Sequence, residues 1–259
     1  MRTQSAVWAI GTAVVVPAVL ALGVLVARPA AADALLCEPY ATADVGRYVV
    51  QNNRWGAASA QCLAIPATGS RESGPGFAVV TSAADVPTDG APAGYPSVVW
   101  GCHYGRCSDG FSPLPVAGSA FARLRTSVTL SRVPDGDWDA AYDLWFDPAP
   151  RRTGHDGGAE LMVWLDHAGR PQPSGHRMGE AVLEGRTYDV YVCAGRSRTI
   201  TYVSRVPTVH AGFAVPSFVD DAVARGIVDR SWYLTSVQAG IEPWRGGAGL
   251  ALSGFRVDT

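Results

Sequence analysis

The chain has 259 residues and a formal net charge of −2, with 21 basic residues against 23 acidic ones. This near balance excludes the strongly basic surface that attracts nucleic acids or anionic membranes, so we expect neither as a partner of the mature chain. We expect a monomer whose length is sufficient for a large hydrophobic core.

An apolar stretch from about Val7 to Ala27 opens the chain, and a small-residue cleavage pattern follows it, ending at Ala32 or Ala34. This order predicts a secretory signal peptide over residues 1–32, or to 34 with the later cleavage. The alternative is an uncleaved membrane anchor, because the stretch is close to the ~20 residues that span a bilayer. Cleavage would give a secreted protein with a single domain over residues 33–259.

The chain has five cysteines. An exported protein meets an oxidising compartment, so pairing is expected. Cys102 and Cys107 flank a tight loop and are expected partners. Cys37 and Cys62 then pair by proximity and close a loop worth about 3 kcal/mol of stability in the chain-entropy model. Cys193 is left as a buried free thiol. We predict no metal site, because neither the cysteine spacing nor the scattered histidines match a zinc motif.

Most segments of the chain have the composition of β-strands. They are rich in Val, Tyr, Trp and Thr, and Gly, Pro, Ser and Asp fill the links between them. The predicted strands are Arg47–Gln51, Phe77–Thr81, Ser97–Gly101, Leu124–Val133, Ala140–Phe146, Glu160–Asp166, Tyr188–Cys193, Thr199–Arg205, Trp232–Ala239 and Gly249–Val257. Many short strands with frequent turns predict an all-β fold, a jelly-roll β-sandwich of two antiparallel sheets.

One helix is predicted near the C-terminal end. Ser217 can cap it, with Asp220 three residues later as a variant of the capping box. An apolar stripe at helical spacing follows. Its members are Val219, Ala222, Val223 and Ile227. We expect this helix to pack on the back face of the sandwich.

Two predicted strands carry acids and indoles on one face. Side chains alternate across a strand, so Glu160, Met162 and Trp164 share a face, and so do Asp143 and Trp145. If the two strands are neighbours, Asp143 lies beside Glu160, and a close carboxylate pair raises one pKa. Indoles stack on the flat faces of sugar rings and carboxylates bond their hydroxyls, so these faces favour a glycan chain as ligand.

A second glutamate lies in an apolar run. Glu242 stands in Gln238–Trp244, and burying an unpartnered carboxylate is costly. Together with Glu160 it supplies the two carboxyl groups that a retaining glycosidase uses, one ionised and one protonated. Each feature alone has an ordinary alternative: a solvent-facing acid at a sheet edge, or a tryptophan in the core. The hypothesis depends on the two glutamates meeting across one groove, at the retaining separation of about 5–5.5 Å.

The sequence resembles glycoside hydrolase family 12, the small jelly-roll endoglucanases and xyloglucanases, and especially its secreted bacterial members. Five stretches carry the resemblance, in the family's order across essentially the whole mature chain. They are Tyr48–Gly56, Tyr95–Cys107, Ala141–Pro148, Glu160–Leu165 and Trp232–Trp244.

The resemblance implies hydrolysis of internal β-1,4-glucosidic bonds with retention of configuration and without a cofactor. It implies that Glu160 is the nucleophile, Glu242 the general acid/base and Asp143 the carboxylate that supports Glu160. It further implies that Asn53 and Trp55 hold glucose units.

The matching stretches add further expectations. Trp100, Trp145, Met162 and Trp164 are expected to contact the substrate, and the family's disulfides are the two pairs already expected from spacing. Two other functions stay open: hydrolysis of a different β-glycan, such as xyloglucan, mixed-linkage glucan or xylan, and glucan binding without catalysis.

Overall fold

The computed structural model describes most of the chain after the predicted signal peptide, which lies outside the described residues. The described ranges are 34–66, 74–108, 112–117, 121–153, 157–195 and 198–259. No helix within these ranges is long and apolar enough to cross a membrane.

The described residues form eighteen strands and one α-helix, α1, which lies between β16 and β17. The first nine strands are β1 Ala34–Leu36, β2 Thr42–Val45, β3 Tyr48–Gln51, β4 Gln61–Ile65, β5 Phe77–Ser82, β6 Ala84–Asp85, β7 Ser97–His103, β8 Arg106–Cys107 and β9 Val116–Ala117. The remaining elements are β10 Arg125–Ser131, β11 Asp137–Asp147, β12 Ala159–Ala168, β13 His176–Leu183, β14 Arg186–Ala194, β15 Arg198–Ser204, β16 His210–Ala214, α1 Val215–Ala224, β17 Tyr233–Gly246 and β18 Ala251–Asp258. All ten predicted strands overlap an observed one.

The strands form two sheets. The smaller sheet has the order β1-β4-β5-β18-β10-β16. The larger has the order β13-β14-β15-β12-β11-β17-β7-β3-β2, with the short strands β6, β8 and β9 attached. The predicted all-β sandwich is confirmed, and neighbouring strands are antiparallel apart from β12 and β15, which run parallel.

The core lies between the two sheets because one face of each strand is apolar. On β11 the inward side chains include Tyr142, which is fully buried. Its ring contacts Phe213 of β16 and Phe255 of β18, at centroid distances of 4.9 and 6.2 Å. These contacts join the larger sheet to the smaller one and leave the opposite face of β11 free to line a surface.

The helix packs on the core side of the larger sheet rather than on the back face of the sandwich, where it was expected. Phe218 contacts the rings of Tyr188 on β14 and Tyr202 on β15, at 5.3 and 5.2 Å. The predicted cap is wrong: the helix begins two residues before Ser217, with Ala214 as N-cap and no side-chain cap. Pro216 fixes the backbone of the first turn, and the Ser217 hydroxyl donates to Glu184.

Both expected disulfides are present, Cys37–Cys62 and Cys102–Cys107. Cys193 is free, as expected, but it is only half-buried. Its place on β14, near the outer edge of the larger sheet, accounts for the exposure.

Candidate active site

A cleft of about 1230 Å³ runs across the outer face of the larger sheet. Its floor comes from the central strands of that sheet, and loops that precede β7 and follow β12 contribute its walls. Alternation along β11 directs Asp143 and Trp145 into this cleft while their neighbours enter the core.

The first carboxyl pair joins β11 to β12. Asp143 lies opposite Met162 and Trp145 opposite Glu160, so Asp143 and Glu160 are diagonal neighbours on one face. The two carboxyl groups are within hydrogen-bonding reach, with Asp143 as the donor. Thr199 of β15, which is in register with Glu160, donates a second hydrogen bond to its Oε2 over 3.3 Å.

Burial and these hydrogen bonds shift the pKa of Glu160 in opposite directions. The net pKa of Glu160 is raised to about 7, because burial raises it by more than the hydrogen bonds from Asp143 and Thr199 lower it by stabilising the ionised form. Burial raises the pKa of Asp143 well above its usual range, and the charges of Glu160 and Glu242 raise it further. Asp143 therefore holds the proton, and Glu160 is the member of the pair that ionises.

The second carboxyl pair joins β11 to β17. Asp139 lies directly opposite Glu242, and their carboxyl groups are within hydrogen-bonding reach. Asp139 is fully buried and Glu242 is 9% exposed. Burial raises the pKa of Glu242 well above its usual range, and the Asp139 charge, the hydrogen bond to Asp139 and the Glu160 charge raise it further.

Glu160 and Glu242 face the same cleft although 82 positions separate them in the sequence. Their carboxyl groups are close enough for the charge on Glu160 to raise the pKa of Glu242. The site thus holds one carboxyl group prepared to ionise and another prepared to stay protonated.

Tyr95 lies among the four carboxyl groups, and the sequence analysis did not identify it. Its hydroxyl donates to the carbonyl of Ala141 over 3.0 Å, and burial, followed by the surrounding carboxylates, raises its pKa well above the ordinary value. The ring packs over Gly240 of β17, where an added Cβ would lie 2.5 Å from the ring. A glycine at this point of the strand is therefore what admits the tyrosine.

Most of the predicted substrate-contacting residues line the cleft. These are Asn53, Trp55, Trp145, Met162 and Trp164. Trp55 is 47% exposed, so its ring presents a large apolar surface to solvent at the cleft. The prediction for Trp100 needs correction: it is fully buried in the core and does not line the cleft. On β7 the cleft-facing positions are Ser97 and Val99, and alternation directs Trp100 inward.

Several cleft residues escaped the sequence analysis. Gln51 donates to Ser97 over 2.9 Å and to Gln238 over 3.2 Å, forming a polar ladder across three neighbouring strands. Trp244 also lines the cleft and packs beside Trp164, with ring centroids 6.4 Å apart. Only the alternation of polar side chains along each strand could have identified the ladder, and that signal appears once the strand bounds are known.

No group of three or more His, Cys, Asp or Glu side chains in the described part of the chain has the arrangement of a metal site. The carboxyl groups are instead paired with each other, and hydroxyl groups of Tyr95 and Thr199 complete their contacts.

Comparison with known proteins identifies the family. The model of glycosyl hydrolase family 12 matches residues 46–259. A probable cellulase Cel12b of Mycobacterium tuberculosis is 36% identical over 143 residues, which cover 55% of this chain and 94% of that protein. A xyloglucan-specific endo-beta-1,4-glucanase A of Emericella nidulans is 27% identical over 85% of this chain and 89% of its own length.

Solved structures agree with the sequence comparisons. The endoglucanase cel12A from Rhodothermus marinus superposes with a TM-score of 0.80 and 38% identity, covering 86% of this chain and 97% of that one. The family match extends over most of the chain, including β11, β12 and β17 with the four carboxyl groups of the two pairs. The chain is a glycoside hydrolase and belongs to glycosyl hydrolase family 12.

Proposed function

We propose that the protein is a secreted, retaining endo-glucanase that cleaves internal β-1,4-glucosidic bonds of cellulose-type glucans. The observation that carries this proposal is the convergence of Glu160 and Glu242 in one tryptophan-lined cleft, with opposite protonation preferences. Related proteins named as a cellulase and as endo-beta-1,4-glucanases support the substrate class. The two disulfides support export.

The reaction proceeds in two displacements. In the first, an ionised Glu160 oxygen attacks the anomeric carbon and the bond to the leaving glucose unit breaks. Glu242 gives its proton to the leaving oxygen, so the departing chain leaves as an alcohol. Asp143 supports this step by donating a hydrogen bond that favours the ionised form of Glu160.

In the second displacement a water molecule replaces the departed chain. Glu242, now ionised, takes a proton from the water, whose oxygen attacks the anomeric carbon and releases Glu160. Two inversions restore the original β-configuration. Trp55 and Trp145 provide apolar surfaces for sugar faces along the cleft, and Asn53 provides a polar group for hydroxyls.

The direct test is Glu160→Gln assayed by reducing-sugar release from carboxymethyl cellulose and barley β-glucan. We expect activity to fall by about 10⁴-fold or more, because the amide cannot form the glycosyl-enzyme. Binding of the glucan and thermal unfolding should stay close to those of the unmodified protein. Asp220→Asn is the matched control, since Asp220 forms an exposed ion pair on the helix, and it should keep full activity.

Two outcomes would overturn the proposal. Retained turnover in Glu160→Gln would contradict the nucleophile, and an α-anomer as the first product, observed by NMR, would contradict retention. An unmodified protein that binds glucan but releases no reducing sugar would be a binding protein. Rates on xyloglucan, mixed-linkage glucan and xylan, measured side by side, decide the preferred polymer.

A further inference from the structure

Asp139 carries a buried carboxyl group that the side chains around it do not neutralise. It is fully buried on the cleft side of β11, and no amide, hydroxyl or basic side chain of the described residues donates to either of its carboxylate oxygens. The one group within hydrogen-bonding reach is the carboxyl of Glu242, directly opposite on β17. Burying an unpartnered carboxylate is costly, so this arrangement calls for a proton between the two groups.

We propose that Asp139 is a positioning residue that accepts a hydrogen bond from the Glu242 carboxyl, so that the pair holds one proton on the general acid. This inference rests on the proposed function, because it assumes that Glu242 is the acid. Two carboxylates within hydrogen-bonding reach repel each other, and they share a hydrogen bond only when one of them is protonated. A bond donated by Glu242 to Asp139 also fixes the orientation of the acid toward the cleft.

The groups around the pair favour this distribution of the proton. In the described part of the chain, no basic side chain forms an ion pair with either carboxyl group of the pair. The titratable groups nearby are Asp143 on β11, Glu160 and His167 on β12, Tyr95 before β7, and the ion pair of Asp137 with Arg245 beyond the end of the cleft. His167 lies opposite Asp139 in register but is exposed, and its ring contacts Trp164.

Glu242 and Asp139 differ in exposure in a way that suits their roles. Glu242 lines the cleft, whereas Asp139 does not and is sealed from solvent behind it. Asp139 therefore does not contact the substrate, and it acts on the reaction through Glu242. Its removal should change the protonation of the acid without changing substrate affinity.

The test is the pH profile of kcat/KM for Asp139→Asn. Asparagine removes the negative charge and can donate its N–H to an ionised Glu242, and both effects lower the pKa of Glu242. The alkaline limb should move to lower pH by about one unit, with KM unchanged. An unmoved limb, or one shifted to higher pH, would overturn the inference.

A second substrate separates this role from a structural one. An aryl β-cellobioside with a good leaving group, such as 2,4-dinitrophenolate, needs no proton from Glu242 in the first displacement. The shift in Asp139→Asn should therefore appear with glucan and vanish with the aryl glycoside. Equal loss on both substrates, with unshifted limbs, would show that Asp139 serves only packing.

Two further measurements test the inference independently of the Asp139→Asn pH profile. If Asp139→Asn does not fold, carboxyl ¹³C NMR of the unmodified protein follows the ionisation of both residues. Asp139 should ionise first and Glu242 at distinctly higher pH. The reverse order would contradict the inference.

Glu242→Gln, assayed in parallel, distinguishes the two proposals. Full activity in Glu242→Gln removes the proposed function, whereas its inactivity with an unshifted Asp139→Asn removes only this inference.

Discussion

The two carboxyl pairs of the cleft are built from the same parts and behave in opposite ways. Each joins an aspartate of β11 to a glutamate on an adjacent strand, Asp143 to Glu160 and Asp139 to Glu242. In the first pair the aspartate donates the hydrogen bond and the glutamate ionises. In the second the glutamate donates and the aspartate accepts.

The surroundings of each pair account for this difference. Glu160 has a second donor in Thr199, which stabilises its negative charge. Among the described residues none donates such a bond to Glu242, and the charge of Glu160 further disfavours its ionisation. The hydroxyl of Thr199 and the charge of Glu160 thus act together to direct two similar carboxyl pairs to different protonation states.

The largest expected effect comes from replacing each glutamate by alanine. Both variants should lose about 10³-fold or more of their activity on glucan. Azide, added with 2,4-dinitrophenyl β-cellobioside, should restore turnover in both, because a small nucleophile fits the space that each truncation leaves. The products should differ: Glu160→Ala gives the α-glycosyl azide by one inversion, and Glu242→Ala gives the β-glycosyl azide by two. NMR of the product checks this, and the same anomer from both variants would show that the two glutamates do not have distinct roles.

A smaller effect is expected from Asp143, through the pH dependence of its partner. Asp143→Ala removes a donor that lowers the pKa of Glu160, so that pKa, about 7 in the unmodified protein, should rise. Glu160 must be ionised to attack, so the acid limb of kcat/KM should move to higher pH, by about one unit.

Asp143→Asn is the matched control for that change, because its amide N–H can still donate to Glu160. Its acid limb should lie closer to that of the unmodified protein than the limb of Asp143→Ala does. A shift to lower pH in the alanine variant would contradict the assignment of Asp143 as donor.

The smallest effect is on stability. The pKa of Glu242 is higher in the folded protein than in the unfolded chain, so folding retains a proton that unfolding releases. Its contribution to stability is therefore lost as the pH rises from the ordinary carboxyl range toward the folded pKa. Glu242→Gln should raise the free energy of unfolding by about 1 kcal/mol or more at pH 8, and by less at pH 4.

Urea unfolding at both pH values measures this difference. Glu160→Gln should give a smaller gain, because hydrogen bonds already lower the pKa of Glu160. Asp220→Asn, on the exposed helix surface, should change stability by less than about 0.5 kcal/mol at either pH. A Glu242→Gln variant less stable than the unmodified protein at pH 8 would contradict the burial of a protonated acid.

Runs rich in Val, Tyr, Trp and Thr predicted ten strands, and strands without such a run, such as β13 and β16, were missed. Strand β13 stays largely exposed at the edge of the larger sheet, so its side chains show no buried face. Strand β16 contains Gly212 between Ala211 and Phe213 and is too short to show a period. The helix start was misplaced because Pro216, rather than a capping hydroxyl, defines the first turn.

The site was predictable where acid and indole share a face, as on β12. Asp139 escaped because strand β11 was expected to begin at Ala140, three residues after its observed start at Asp137, and a position outside a strand has no assigned face. Trp100 was assigned to the cleft from its neighbours in the sequence, although alternation on β7 places it in the core. Tyr95 could not be predicted, since it reaches the site only through the space above Gly240.

The position of β11 in the larger sheet affects how the polymer preference of such an enzyme can evolve. Because β11 bonds both β12 and β17 and gives an aspartate to each, the backbone ladder itself sets the distance and tilt between the two reactive groups. The rims of the groove are separate stretches of chain that do not share this task. Insertions or exchanges there can alter which branched or linear polymer fits while bond cleavage persists, so new preferences can arise without rebuilding the chemistry.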